Sequence, residues 1–481
     1  MLSPVVLLIG SIRAHKSNIA ELQSINWDEL IEKKSSHRNV DEFSSLSNCE
    51  LAASYMYHCL RSLGVGSSIN YLSSIFNSKE HSSAAFDQMF ITPDMGVDES
   101  LLIDSLSYDE SRLDKLLKTI TDSCVVILIS PVYFGDKSSV ANKLFHITRA
   151  KKNLKGKLFS TITVGAKRNG GQETAAVFSM YEALQLSSFV VGSGPPVSQY
   201  GATCVAGDKG TILDDTYGLN LIKNLSNNVS RFSSIDQFAN KNDPPCESGL
   251  NTSTSSAAIL FSDSGISSKI NGSVVELINE RFSTCFESIS PIFATDFTIN
   301  RCIACSACPP PKVRLSEKYE QTGYGCIFQS EADQLSKLHD LLLPHRIIFV
   351  VISDANEANL IHRYQAFLER SRYMRRDDFL LANKIVVPCF ASDISRLSLT
   401  IAPLKIMTSF MRHHTIIAPP LCFQYDSNVL NSVSSNLRDY PVDELKKYIN
   451  YSGTGKLSSE VSYKALGYSD KSLDYTERTV N

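Results

Sequence analysis

The chain carries almost no excess of charge. Its 47 Lys and Arg stand against 50 Asp and Glu, a formal net charge of −3 over 481 residues. That balance leaves no basic footprint for nucleic acid or for an anionic membrane surface, so neither is expected as a partner. No stretch reaches the roughly 18 consecutive apolar residues of a membrane-spanning helix. The N-terminal PVVLLIG is apolar, but it lacks the basic flank of a secretory leader and its apolar run is short. It reads as a buried strand, and the protein is expected to be cytosolic (cytoplasmic). HExxH and GxSxG are absent. Gly192 and Gly194 form a GxG without the rest of a dinucleotide fingerprint, so a Rossmann reading is not supported.

What is present is an ordinary globular composition, 43% hydrophobic and 20% charged. A chain of 481 residues exceeds the size at which one core stops growing, which predicts two domains. The first runs over 1–232. It opens with a strand at Val5–Ile9, followed by a polar, partly helical stretch that reads as an insertion at about 14–46. In NCELAASYMYHCLRSLG, Leu51, Tyr55, Cys59 and Leu60 share one helical face and Gly64 supplies the C-cap. A helix over Leu113–Ile120, the apolar run Cys124–Ile129 and a strand at Phe159–Val164 come next. A helix from near Thr174, a strand at Phe189–Val191 and a helix from about Asp215 to Phe232 close the domain. Apolar strands alternating with helices predict an α/β fold with a doubly wound parallel sheet, whose ligands bind beyond the carboxyl ends of the strands.

Residues 233–256, dense in Ser, Asn, Thr and Pro, read as a linker. A second domain over 257–425 repeats the outline of the first. AAILFSDSG aligns with VVLLIGSIR, RIIFVVISD with CVVILISPV, and QAFLERS with KLFHITR. The insertion at 14–46 accounts for most of the difference in spacing between the two halves, so an internal duplication is expected. Residues 426–481 read as a peripheral C-terminal extension.

Three loops of the first domain carry residue types suited to a phosphate-bearing, flat cofactor. After the first strand come Ser11, Arg13, Ser17 and Asn18, and Ser47 and Asn48 precede the long helix. A phosphate dianion needs hydroxyls, N–H donors and a helix N-terminus. Of the two Ser-Asn pairs, Ser47 and Asn48 are favoured because they sit at an N-cap. The second loop is SPVYFG. Pro131 stiffens it ahead of Val132, Tyr133 and Phe134 offer flat apolar surface, and Gly135 permits close approach. The third lies beyond Gly165, in RNGGQET. Asn169, Gln172 and Glu173 are polar there, and Gly170 and Gly171 let the backbone come close.

In this order, GSxR…SN, SPVYFG and GGQET resemble the NAD(P)H-dependent FMN reductase and iron–sulfur flavoprotein family, over about residues 5–232. The resemblance implies a flavodoxin-like fold with FMN held at these three loops. It also implies dimers or tetramers in which neighbouring subunits complete the flavin site. The insertion in the phosphate loop departs from the family.

Of twelve cysteines, four cluster: Cys302, Cys305, Cys308 and Cys326. CIACSACP gives C-x2-C-x2-C, a spacing that can wrap one corner of a 4Fe–4S cluster; zinc, or no metal, are the other readings. The resemblance favours the cluster, because iron–sulfur flavoproteins carry compact cysteine motifs at the corresponding place. The remaining eight cysteines read as ordinary buried residues. Adjacent His413 and His414 do not share a face, and read as surface or core histidines. The basic run RSRYMRRDD reads as a solvated face.

The second domain has SDANEA where the first has SPVYFG, and it lacks GGQET. Its flavin site is therefore expected to be degenerate. The resulting expectation is an FMN-dependent oxidoreductase taking electrons from NAD(P)H. It would pass them to a small molecule or protein, with onward transfer through a 4Fe–4S cluster. The alternative is a non-catalytic flavin and iron–sulfur electron carrier serving a partner enzyme. No general acid or base stands out.

Overall fold

The computed structural model describes residues 5–11, 19–33, 46–76, 108–194, 200–208, 210–233, 256–261, 266–286, 288–303, 332–353, 357–375, 380–393, 401–426, 429–433 and 440–452. They form two compact units, one of residues 1–186 and 201–233 and one of 187–200 and 234–481. Among the described residues, no helix is long and apolar enough to cross a membrane.

In the first unit, β1 (Val5–Ile9) pairs in parallel with β2 (Ser67–Tyr71) on one side and β3 (Val125–Pro131) on the other. β3 pairs with β4 (Leu158–Gly165), and β4 with β6 (Ala202–Val205). The order β2-β1-β3-β4-β6 is the flavodoxin-like succession, with every pair parallel. β1, β3 and β4 are buried along nearly their whole length, as continuous apolar runs require when helices cover both faces.

The helix α3 (Asn48–Ser62) buries Leu51, Tyr55, Cys59 and Leu60 and stops before Gly64, whose φ of +73° suits a glycine. Two short helices precede it within the expected insertion, α1 (Ile19–Ser24) and α2 (Trp27–Glu32). α4 (Ser73–Phe76) and α5 (Glu110–Thr121) follow β2. α6 (Ser139–Lys151) and α7 (Gln172–Gln185) follow β3 and β4, and α8 (Thr216–Ser230) ends the unit.

The second unit centres on β7 (Ser256–Phe261), flanked by β8 (Ile289–Phe293) and β9 (Ile347–Ser353), with β10 (Ile385–Asp393) beyond β9. Two short strands, β11 (Ile416–Ile417) and β12 (Leu421–Asp426), run parallel along one edge of β10. Between them lie Pro419 and Pro420, which have no N–H to give to the ladder. The order β8-β7-β9-β10-β12 is the same succession as in the first unit. β13 (Val429–Val433) adds antiparallel to β12. The helices are α9 (Ile266–Phe282), α10 (Leu335–Leu342), α11 (Glu357–Arg370), α12 (Ile401–Met411) and α13 (Val442–Ser452).

Two boundaries and one expected surface differ from the sequence expectation. Residues 187–200 group with the second unit. There β5 (Phe189–Val190) pairs antiparallel with β11, Phe189 lies 4.4 Å from the Tyr448 ring, and Tyr200 accepts a 3.1 Å hydrogen bond from Arg412. The C-terminal segment is not peripheral as far as 452. Leu445, Tyr448 and Ile449 of α13 follow helical spacing and are buried. The basic run, expected as a solvated face, buries Arg370, Ser371, Tyr373 and Met374. The expected linker lies, apart from its two end residues, outside the described residues.

Candidate functional site

The site is built where β1, β3 and β4 end. Gly10 N–H donates to Ile129 O at 2.8 Å. Ser138 Oγ donates to Gly10 O at 2.5 Å, and Ser138 N–H donates to Ser130 Oγ at 3.0 Å. The turn after β1 is thus stitched to the loop after β3. Ser11 is buried in that turn. Arg13, Ser17 and Asn18 lie outside the described residues.

SPVYFG forms a tight reversal. Tyr133 and Asp136 exchange both backbone hydrogen bonds, at 2.9 and 3.0 Å, while Phe134 (φ +52°) and Gly135 (φ +81°) both occupy the left-handed region. That is the geometry of a type I′ turn, and it costs least when the second residue is glycine. Pro131 is the last residue of β3, and Val132 N–H donates to Val164 O at 3.0 Å. The turn leaves Tyr133 about half exposed and Phe134 fully exposed. Lys137 fixes it from behind. Its side chain is 0% exposed, and its ammonium lies 3.4 Å from Asp136, 3.0 Å from Glu182 and 5.0 Å from the Phe145 ring centroid. A lysine buried to this degree needs such partners.

The third loop closes on the second. Asn169 (φ +61°) and Gly171 (φ +90°) turn the chain into α7. A Cβ on Gly171 would meet Gly135 Cα at 2.8 Å, so the two loops touch backbone to backbone. A Cβ on Gly170 would meet Lys167 O at 2.7 Å, and one on Gly165 the Gln172 side chain at 2.6 Å. Gln172 points inward. Its amide donates to Lys167 O at 2.7 Å and to Cys204 O at 3.3 Å, and its own carbonyl accepts from Thr163 Oγ1 at 3.0 Å. The Gln172 side-chain amide thus holds the loop to the neighbouring strand. Glu173 stands in the first turn of α7. Arg168 anchors the far side, 2.7 Å from Asp215 Oδ1 and 5.1 Å over the Tyr217 ring. Asp215 also accepts from Val205 N–H at 2.6 Å and from Gly218 N–H at 3.1 Å, capping α8.

Ser47 and Asn48 are engaged within the fold. Ser47 forms a capping box with Glu50: its hydroxyl accepts from Glu50 N–H at 3.3 Å, and its N–H donates to Glu50 Oε2 at 2.7 Å. Asn48 donates to Asp208 O at 2.7 Å and accepts from Ile212 N–H at 3.3 Å. Glu50 is fully buried and receives the Tyr71 hydroxyl at 3.1 Å. Both members of the Ser-Asn pair favoured from sequence are thus engaged in holding the start of α3.

Sequence reasoning missed Lys137, Glu182, Asp215 and Glu50. Asp215 carried the signal of an acidic residue just before a helix. A buried Lys137 has no local signature.

Of the clustered cysteines only Cys302, half-buried, is described; Cys305, Cys308 and Cys326 lie outside the described residues. No group of three metal-ligating side chains assembles among the described residues. The chain just before Cys302 is held by a buried ion pair. Arg370 donates to Asp333 Oδ2 at 2.5 Å and to Asn300 O at 3.1 Å, and Asn300 N–H donates back to Asp333 at 3.3 Å. Thr298 and Gln334 add two further hydrogen bonds, at 2.9 and 3.1 Å. The remaining described cysteines are buried or half-buried. Burial raises the thiols of Cys49, Cys204, Cys285, Cys389 and Cys422, and pushes Cys59 up to about 11. None of these has the character of a nucleophilic thiolate. His413 and His414 are buried, in line with core histidines.

Residues 86–199 match the profile of the NADPH-dependent FMN reductase family. An iron-sulfur flavoprotein of Methanocaldococcus jannaschii is 36% identical over 121 residues, which are 24% of this chain and 63% of that protein. The chain thus spans under two thirds of that relative. Among solved structures, RosB with a bound 8-demethyl-8-formylriboflavin-5'-phosphate intermediate aligns at 12% identity and a TM-score of 0.31, covering 49% of this chain and 80% of that one. A flavodoxin-type WrbA-like protein from Agrobacterium tumefaciens aligns at 10% identity and a TM-score of 0.28, covering 49% and 98%. Scores this low add nothing to what the strand order shows. On the sequence matches, residues 86–199 are similar to the NADPH-dependent FMN reductase family, and a 121-residue stretch of the chain to an iron-sulfur flavoprotein.

Proposed function

We propose that the chain is an FMN-dependent oxidoreductase built from two tandem flavodoxin-like domains, with FMN in the first. The observation that carries this reading is the backbone contact of Gly135 with Gly171 beneath exposed Tyr133 and Phe134. A side chain at Gly171 would separate the loops. Its absence leaves the two backbones in contact with aromatic surface beside them, which fits a flat ring system. Tyr133 and Phe134 would line the ring, and Asn169, at the left-handed turn, would offer its amide to the ring's polar end. Ser11, Arg13, Ser17 and Asn18 would receive the phosphate, since Ser47 and Asn48 are engaged in the α3 cap. FMN, when bound, supplies the electron-accepting chemistry. The chain's own residues bind and orient it, and Lys137 and Arg168 hold the two loops in register from behind.

Duplication is supported by the shared strand succession of the two units. NAD(P)H as donor is supported by the matching family, and a homo-oligomer is part of the same reading. Cys302, Cys305, Cys308 and Cys326 hold a 4Fe–4S cluster in this reading, supported by their spacing and by the related iron-sulfur flavoprotein. Held there, a cluster would supply one-electron chemistry between FMN and a small-molecule or protein acceptor.

The test is anaerobic purification with quantified flavin and iron, followed by NADPH and NADH oxidation assays. Bound FMN, roughly four irons per chain and pyridine-nucleotide turnover are expected. Flavin without iron would remove the cluster. Flavin reduced only by a partner protein would make the chain a carrier. A colourless protein after reconstitution with FMN would overturn the reading.

A further inference from the structure

The segment between β1 and α3 departs from the family's pattern, and it builds a cleft of its own. α1 and α2 lie against the second half of α3 and leave a cavity of about 260 Å³. Its floor is fixed. Trp27 is fully buried, its indole N–H donates to Ser54 Oγ at 2.8 Å, and Ser54 Oγ donates to Leu22 O at 2.5 Å. The Tyr55 ring backs the indole at 4.8 Å. Half-buried Ile25 supplies the apolar surface open to the cleft, and Gln23, Ser24 and Asn26 line its rim.

The polar wall comes from α3. Tyr57 and Arg61 stand four residues apart, on one helical face. His58, between them, is held by Asp28 at 3.3 Å. The guanidinium of Arg61 has no partner among the described residues, and neither has the Tyr57 hydroxyl. A guanidinium presents a planar fork of donors that matches a carboxylate. A cavity of about 260 Å³ lies below the range of drug-sized pockets, so its ligand is small. Arg61 is about 20 Å along α3 from the cap at Ser47, by the rise of an α-helix, and so stands well away from the flavin loops.

We propose that this cleft binds a small carboxylate with an apolar body. The carboxylate pairs with Arg61 and accepts from the Tyr57 hydroxyl, and the apolar part rests on Ile25, above the buried Trp27. This inference does not depend on the flavin reading.

Trp27 is the chain's single tryptophan, so its emission reports on the cleft alone. The full chain is titrated with sodium benzoate at constant ionic strength, with flavin absorption followed in parallel. A saturable change in Trp27 emission is expected. Arg61→Met should weaken it by about tenfold or more, as for the loss of one charge-assisted pair. Tyr57→Phe should weaken it less, and the neutral isostere benzamide should bind far more weakly. The proposal is overturned if benzoate gives no saturable response or if Arg61→Met binds as the parent does. It is likewise overturned if benzamide binds equally well, or if only flavin absorption responds. Arg61 is exposed on the helix, so this variant is expected to fold, and its circular dichroism is checked first.

Discussion

The third strand of each unit reaches the same edge of its sheet, and from there the two diverge. β3 and β9 are both unbroken apolar runs, VVILIS and IIFVVIS, and each sits third in the same strand succession. Beyond β3 the chain makes a type I′ turn with Tyr133 and Phe134 turned outward. Beyond β9 it reads SDANEA, with no aromatic and no proline. The second unit has placed its polar groups inside: Arg370 on Asp333, and His339 against Tyr373 and Ser371. Strand order follows from apolar runs that must be covered on both faces. What the sheet edge can hold follows from the few residues just past each strand.

The largest effect should come from breaking the interior of the second unit. Arg370 and Asp333 are 2% and 3% exposed. Burial alone would raise the Asp333 carboxyl, but hydrogen bonds from Arg370 and the Leu335 and Asn300 N–H groups hold it below the usual range. Arg370→Ala leaves that carboxylate buried without its partner and should cost about 3–5 kcal/mol in chemical denaturation. A loss under about 1 kcal/mol, the value of an exposed pair, would mean the pair is solvated.

The matching break in the first unit is Gly171→Val. It puts a branched side chain at φ +90°, against Gly135 Cα at 2.8 Å. FMN affinity should fall by about a hundredfold, near 2.7 kcal/mol. Equilibrium dialysis against FMN measures it, and unchanged affinity would remove the loop contact from the site.

Acid sharpens the contrast more gently. Burial, with Arg370 nearby, lowers His339 to about 3 from an ordinary 6.5. The folded state therefore resists protonation that the unfolded chain accepts. The stability this neutral histidine supports is complete above about pH 6.5 and is lost as pH falls toward 3, by about 1.4 kcal/mol per pH unit. Thermal melts between pH 7.5 and 5.5 should show the decline, and His339→Asn should flatten it. An equal slope in the variant would place the titration elsewhere.

The smallest effect belongs to Tyr133→Ala. The ring is about half exposed, so stability should hardly change. FMN binding should weaken by about tenfold, the value of one aromatic contact. Denaturation and flavin titration on the same sample separate the two.

Much of this was legible in the chain. Strands β1, β3 and β4 and the buried face of α3 follow from apolar pattern, and its C-cap from Gly64, whereas β2 (SSINY) and β6 (ATCV) have no apolar run to announce them. The loops at the sheet edge were legible as motifs, because turn residues carry their reasons locally. What escaped depends on distant partners. Gln172 turns inward because Cys204 O waits on another strand. Glu50 is buried because Tyr71 and the Ser47 N–H receive it. Residues 187–200 join the second unit through Val190 and Ile417, far apart in sequence. A local pattern cannot carry such information.

The most direct measurement is the number of FMN molecules bound per chain after reconstitution, in the parent protein and in Gly171→Val. One FMN in the parent and a large loss in the variant are expected. Two per chain would show that the second unit also binds flavin, and none would leave the loops after β3 and β4 without the role assigned to them.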